Sequence, residues 1–154
     1  MYFTVRLPGG WYKGSRSSAW GSQNLRNVPN MTETKMARII LAEDDNDMRR
    51  FLVKALEKAG HQVTSFAEGA SAFEEIKQTT FDLLLTDIVM PEMDGIELAR
   101  RAAELDPSLK IMFITGFAAV ALHPDSKAPK DAKVLSKPFH LRDLVAEVDR
   151  MMAA

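Results

Sequence analysis

The chain has no cysteine. That excludes disulfides, thiolate metal ligands and a cysteine nucleophile, and it fits a reducing cytoplasm. No apolar run approaches the roughly 20 residues that span a bilayer. The amino-terminal stretch also lacks the continuous apolar segment of a secretory signal. No glycine-rich loop follows a strand pattern, which argues against a flavodoxin-like or dinucleotide cofactor site. Basic residues are scarce where a nucleic-acid surface would need them. Residues 36–154 hold 15 Lys and Arg against 20 Asp and Glu, a net of −5. Phosphate-backbone affinity comes from clustered Lys and Arg, so direct DNA binding is not expected.

What is present divides into two parts. Residues 1–35 carry Arg6, Lys13, Arg16, Arg26 and Lys35 against Glu33 alone. Glycines, serines and Pro29 interrupt any period, and Trp11, Tyr12 and Trp20 follow neither helical nor strand spacing. This stretch reads as a disordered extension, or as a leader translated from a start placed too early, since Met31 and Met36 both stand just ahead of the first regular pattern. An Arg- and Ser-rich, acid-poor makeup is also shared with organellar transit peptides. Residues 36–154 read as one domain, long enough to bury a core.

From Ala37 the pattern is regular. Ala37–Ala42 is a short apolar strand. Met48, Phe51, Leu52, Ala55, Leu56 and Ala59 then fall on one helical face, with Asn46 or Asp47 as cap and Gly60 as the stop. His61–Phe66 reads as a strand and Ser71–Gln78 as a short helix. Leu83-Leu84-Leu85 is an apolar run short enough to be a strand buried on both faces. It stops at Thr86-Asp87, and Pro91 and Asp94-Gly95 punctuate the loop beyond. Gly95–Asp106 is a helix halted before Pro107. Lys110–Thr115 and Lys133–Ser136 are strands, and His140–Met152 is a last helix. Between those two strands Phe117–Leu122 has room for one or two helical turns, whereas His123–Lys130 contains Pro124 and Pro129 and reads as loop. Alternating strands and helices imply right-handed crossovers. The expected fold is α/β, a doubly wound five-stranded parallel sheet with helices on both faces.

Parallel strands bring their carboxyl ends to one edge. Glu43 and Asp44 follow the first strand of this domain, Asp87 the third, Thr115 ends the fourth and Lys137 follows the fifth. Three gathered carboxylates repel one another and raise at least one pKa unless a cation offsets them. Oxygen ligands of this kind suit Mg²⁺. Thr115 and Lys137 are suited to contact phosphoryl oxygens. Between metal and lysine, Asp87 becomes a nucleophile for phosphoryl transfer.

The motifs ILAEDD, LLLTDIVMPEMDG, FITG and LSKPF, spread from Ala37 to the carboxyl terminus, resemble the receiver domain of two-component response regulators, the flavodoxin-like CheY fold. The resemblance implies that Asp87 accepts the phosphoryl group. It implies that Glu43, Asp44, Asp87 and the backbone carbonyl of Val89 hold Mg²⁺. Thr115 corresponds to the switch hydroxyl, Lys137 to the lysine that reads the phosphoryl group, and Lys137–Pro138 to a cis peptide. Two departures stand out. Val134 replaces the aromatic that often sits three residues before the lysine, and prolines interrupt the fourth helix. Both departures resemble the CpdR-type single-domain regulators of alphaproteobacteria. These serve cell-cycle regulation and act on an AAA+ protease such as ClpXP. The donor would be a histidine kinase or a histidine phosphotransfer protein, the location cytoplasmic, and catalysis confined to the protein's own phosphorylation and dephosphorylation. Ala154 directly follows the last helix, so output is expected through protein–protein contact, without DNA or membrane. The alternative is an Asp-nucleophile, Mg²⁺-dependent phosphatase of the haloacid dehalogenase type. It requires an acid two residues after the nucleophile, where Val89 stands.

Overall fold

The computed structural model describes residues 2–7, 10–15 and 36–153. Two compact units emerge, residues 1–33 and 34–154. In the first, β1 (Tyr2–Leu7) and β2 (Gly10–Ser15) pair antiparallel from Tyr2↔Ser15 to Leu7↔Gly10. Neither strand is expected from the sequence, so disorder throughout residues 1–35 is corrected for these two stretches. The spacing of the aromatics hid the pattern, although Pro8-Gly9 is a turn-type pair in sequence. The rest of that expectation lies outside the described residues.

The second unit contains β3 (Arg38–Ala42), α1 (Asn46–Lys58), β4 (Gln62–Phe66), α2 (Gly69–Gln78), β5 (Leu83–Thr86) and α3 (Gly95–Leu105). It continues with β6 (Lys110–Thr115), α4 (Ala118–Leu122), β7 (Lys133–Ser136) and α5 (Leu141–Ala153). The sheet has the order β4-β3-β5-β6-β7, and every pairing is parallel. Successive strand side chains point to opposite faces. On β3, Ile40 and Ala42 join Leu84, Ile111 and Phe113 beneath Ala72 of α2 and Leu98, Ala99 and Ala102 of α3. Ile39 and Leu41 face the other way, with Leu85, Met112 and Ile114, against Leu52 and Leu56 of α1 and Leu144 and Val148 of α5. The three central strands β3, β5 and β6 are buried on both faces because helices cover both.

Local chemistry sets the boundaries. Asp45, rather than Asn46 or Asp47, caps α1, its carboxylate accepting from the Met48 N–H at 3.0 Å. Asp45 keeps an extended backbone while the next residue is already helical, which defines a cap. Gly60 follows the end of α1 at φ +99°, a left-handed conformation that favours glycine. Helix α2 starts at Gly69, two residues earlier than its apolar pattern suggests. Helix α4 is a single five-residue turn segment with no buried residue, and no further helix forms before β7.

The chain leaves β3 toward β4 on one side and returns to β5 on the other. Crevices at such a reversal, beyond the carboxyl ends of the strands, are where open α/β sheets bind ligands.

Candidate phosphoryl-acceptor site

Glu43 and Asp87 leave β3 and β5 at that reversal. The Asp87 N–H donates to the Ala42 carbonyl at 3.1 Å and the Glu43 N–H to the Phe66 carbonyl at 3.0 Å. Both residues are thereby continued from the sheet ladder and pinned. Glu43 and Asp87 are buried, while Asp44 is exposed. One carboxylate oxygen from each of the three lies within 4.8 Å of the others. Lys137, just past β7, donates to Asp87 Oδ2 at 2.9 Å and to Glu43 Oε1 at 3.2 Å. The Ile88 N–H donates to Asp87 Oδ1 at 2.6 Å. Glu43 Oε2 is buried with no hydrogen-bond partner.

The electrostatics follow from this crowding. Burial, then the Asp87 charge, pushes the Glu43 carboxyl from 4.5 to about 7, against the opposing pull of Lys137. Burial on its own would lower the Lys137 pKa. Its hydrogen bond to Asp87 and the charges of Glu43 and Asp87 outweigh burial, and the lysine stays firmly protonated. The unsatisfied Glu43 Oε2, beside two more carboxylates and no soft donors, fits a hard divalent cation.

Thr115 ends β6 and is buried. Its Oγ1 accepts from the Phe117 N–H at 2.9 Å, and its carbonyl accepts from the Lys137 N–H at 2.8 Å. Hydroxyl and ammonium are therefore carried on one backbone link between neighbouring strands. The Lys137–Pro138 peptide is cis. The Val89 and Phe117 side chains, 54% and 57% exposed, occupy the loops leaving β5 and β6. The structure thus gathers the Glu43, Asp44 and Asp87 carboxylates, bonds Lys137 to Glu43 and Asp87, and links Thr115 to Lys137 through the backbone.

Three supporting residues escape the sequence reading. Gly95 presses so closely on the loop after Asp87 that an added Cβ would lie 1.8 Å from the Asp87 carbonyl oxygen. The Thr86 hydroxyl donates to that same carbonyl at 2.8 Å. Arg49 of α1 donates to the Glu43 carbonyl at 2.7 Å. The Asp94-Gly95 pair is visible in sequence as turn punctuation, but the close approach behind it is not. Nothing in the sequence around Thr86 or Arg49 signals their bonds.

Comparison with known proteins agrees with this geometry. Residues 39–149 match the family model of the response regulator receiver domain. The chain is 77% identical over 119 residues to the response regulator receiver protein CpdR of Brucella abortus (strain 2308), covering 77% of this chain and 99% of that protein. It is 36% identical over 120 residues to the sensor kinase CckA of the same organism, covering 75% of this chain but 12% of the kinase. Among solved structures, a response regulator receiver protein from Sinorhizobium medicae WSM419 superposes with a TM-score of 0.71 at 34% identity. That match covers 78% of this chain and 97% of the other. The five-stranded parallel sheet, the acidic pocket with its lysine, and the match across most of the sequence place the chain in the response regulator receiver family.

Proposed function

We propose that this protein is a stand-alone phosphorylation switch in a two-component phosphorelay, with Asp87 as the acceptor. The observation that carries the reading is the contact of one ammonium, Lys137, with both Asp87 and Glu43 at the sheet reversal. An Asp87 carboxylate oxygen attacks phosphorus of a phosphohistidine, the P–N bond breaks with its electron pair going to the ring nitrogen, and the imidazole, already protonated at its other nitrogen, leaves neutral. Lys137 then holds the phosphoryl oxygens by charge. Thr115 Oγ1 already accepts from the Phe117 N–H, so its own proton is available to donate to a phosphoryl oxygen. Glu43, Asp44, Asp87 and the Val89 carbonyl would hold Mg²⁺. Bound there, the ion would offset the negative charge gathered by the carboxylates and the incoming group.

The donor in this reading is a histidine kinase or a histidine phosphotransfer protein. The output is protein contact, with an AAA+ protease such as ClpXP as the CpdR-type target, in the cytoplasm and without DNA. Among the described residues no helix is long and apolar enough to cross a membrane. Catalysis is confined to the protein's own phosphorylation and dephosphorylation. The phosphatase alternative is not supported. Val89 cannot transfer a proton to a leaving group, and the matched family is one of receivers.

Asp87→Asn tests the acceptor. The amide is isosteric but not nucleophilic, so acetyl phosphate with Mg²⁺ should give no acid-labile label on the variant. Labelling at the wild-type stoichiometry would show that another residue is the acceptor.

A further inference from the structure

At the opposite edge of the sheet, where β6 and β7 begin, a cavity of about 480 Å³ opens between the α3–β6 loop and the segment entering β7. Its floor is apolar, formed by Ala103, Leu109, Ile111, Ala132 and Met151. Leu109, Ile111 and Met151 are buried core residues, so the floor is a fixed wall of the domain. The short helix α4 ends at Leu122, ahead of Pro124, and residues 129–133 on the way into β7 line the cavity.

The rim has a charge opposite to that of the domain. Lys130 and Lys133 line it and are exposed, and neither ammonium has a hydrogen-bond or ion-pair partner among the described residues. Lys110 also lines it, its ammonium donating to the Met151 carbonyl. Asp131 is the one acidic residue lining it. A cavity of several hundred Å³ with an apolar floor and a few polar groups at one end is the usual form of a small-molecule site. From this combination we infer that the cavity binds a small amphiphilic anion, its apolar body against Leu109, Ile111 and Ala132 and its carboxylate, sulfonate or phosphate between Lys130 and Lys133. The site is separate from the phosphoryl-acceptor pocket, at the other ends of the strands that carry Thr115 and Lys137.

The probe is 1-anilinonaphthalene-8-sulfonate, an apolar body with one sulfonate, titrated onto the full chain and displaced by octanoate. Saturable one-site binding is expected, with amide and methyl NMR shifts at Leu109, Ile111 and Ala132. The double variant Lys130→Glu/Lys133→Glu should bind about tenfold or more weakly, a difference of about 1.4 kcal/mol. Its melting temperature and its labelling by acetyl phosphate should be those of the wild type. Three results would overturn the inference. They are no saturable binding, equal binding by the double variant, and shifts confined to the groove between α1 and α5 around Phe51 and Leu141, which is also apolar. Loss of acetyl phosphate labelling in an Asp87→Asn chain that still binds the dye separates this site from the acceptor assignment.

Discussion

At the scale of single residues, Glu43 is the most strained by its surroundings. Its carboxyl titrates at about 7 in the folded protein against an ordinary 4.5. Between those values the folded state keeps a proton that the unfolded state has released. Stability should therefore fall as pH rises from about 4.5 to about 7 and level off above. Thermal unfolding in the presence of a chelator should show that slope, and Glu43→Gln should flatten it. Added Mg²⁺ should stabilise most above pH ~7, where the carboxylate is ionised and a cation compensates it. A melting temperature that rises steadily over this window would contradict the assignment. Val89 and Phe117 give a second expectation at this scale. Both stand two residues beyond a site residue and are more than half exposed, and neither side chain can orient or activate water. The aspartyl phosphate should persist for minutes or longer, read by loss of acid-labile label. Decay within seconds would exclude this role, and Val89→Asn or Phe117→Glu should shorten the lifetime.

At the scale of elements, the segment from Gly116 to Lys130 differs from the other connections. Helix α4 buries none of its residues, and Val120 and Leu122 are largely exposed. The loop beyond it is held by short-range bonds, Ser126 N–H to the His123 carbonyl and Ala128 N–H to Ser126 Oγ. Only small side chains, Ala121 and Ala128, pack from this stretch onto the core. Such a segment has few apolar contacts to lose and opens at low cost. Movement of Thr115 toward a phosphoryl group would release the Phe117 N–H, the first link into this stretch. Val134, three residues before Lys137, offers no ring to rotate. Phosphorylation should therefore act through order and disorder of Gly116–Lys130. Hydrogen exchange with and without beryllofluoride should change most across these amides. Protection that is unchanged there and altered on another face would refute it.

At the scale of the whole molecule, both apolar clusters as seen among the described residues are drawn from residues 37–152. Residues 34–154 also separate as a compact unit. A chain beginning at Met36 should melt within about 2 °C of the full one, a difference below 1 kcal/mol for a protein of this size. A drop of several degrees would mean that the amino-terminal residues contribute to the folded domain. The same chain should take the acetyl phosphate label at full stoichiometry, since every candidate site residue lies within it.

The sequence alone determined the alternation of five parallel strands with helices, and it put Glu43, Asp44, Asp87, Thr115 and Lys137 at the carboxyl ends of strands, while Val89 followed from the family resemblance. Both are local. Apolar runs of four to six residues and amphipathic periods reflect burial that each segment needs wherever it packs, and polar residues stop those runs where the chain reaches the sheet edge. What lay beyond it was decided by pairing across long separations. Lys137 reaches Glu43 across 94 positions and Asp87 across 50, and only the order β4-β3-β5-β6-β7 brings them together. The same order leaves Asp44 exposed and buries Glu43 with one oxygen unsatisfied. It also forces Gly95 against the Asp87 carbonyl. The cap at Asp45 and the β1–β2 hairpin were missed because each turns on a backbone conformation or a pairing register, which residue type constrains but does not choose. Residue types named the groups that meet at the site; the burial and the contacts that set their charges came from neighbours far away in the chain.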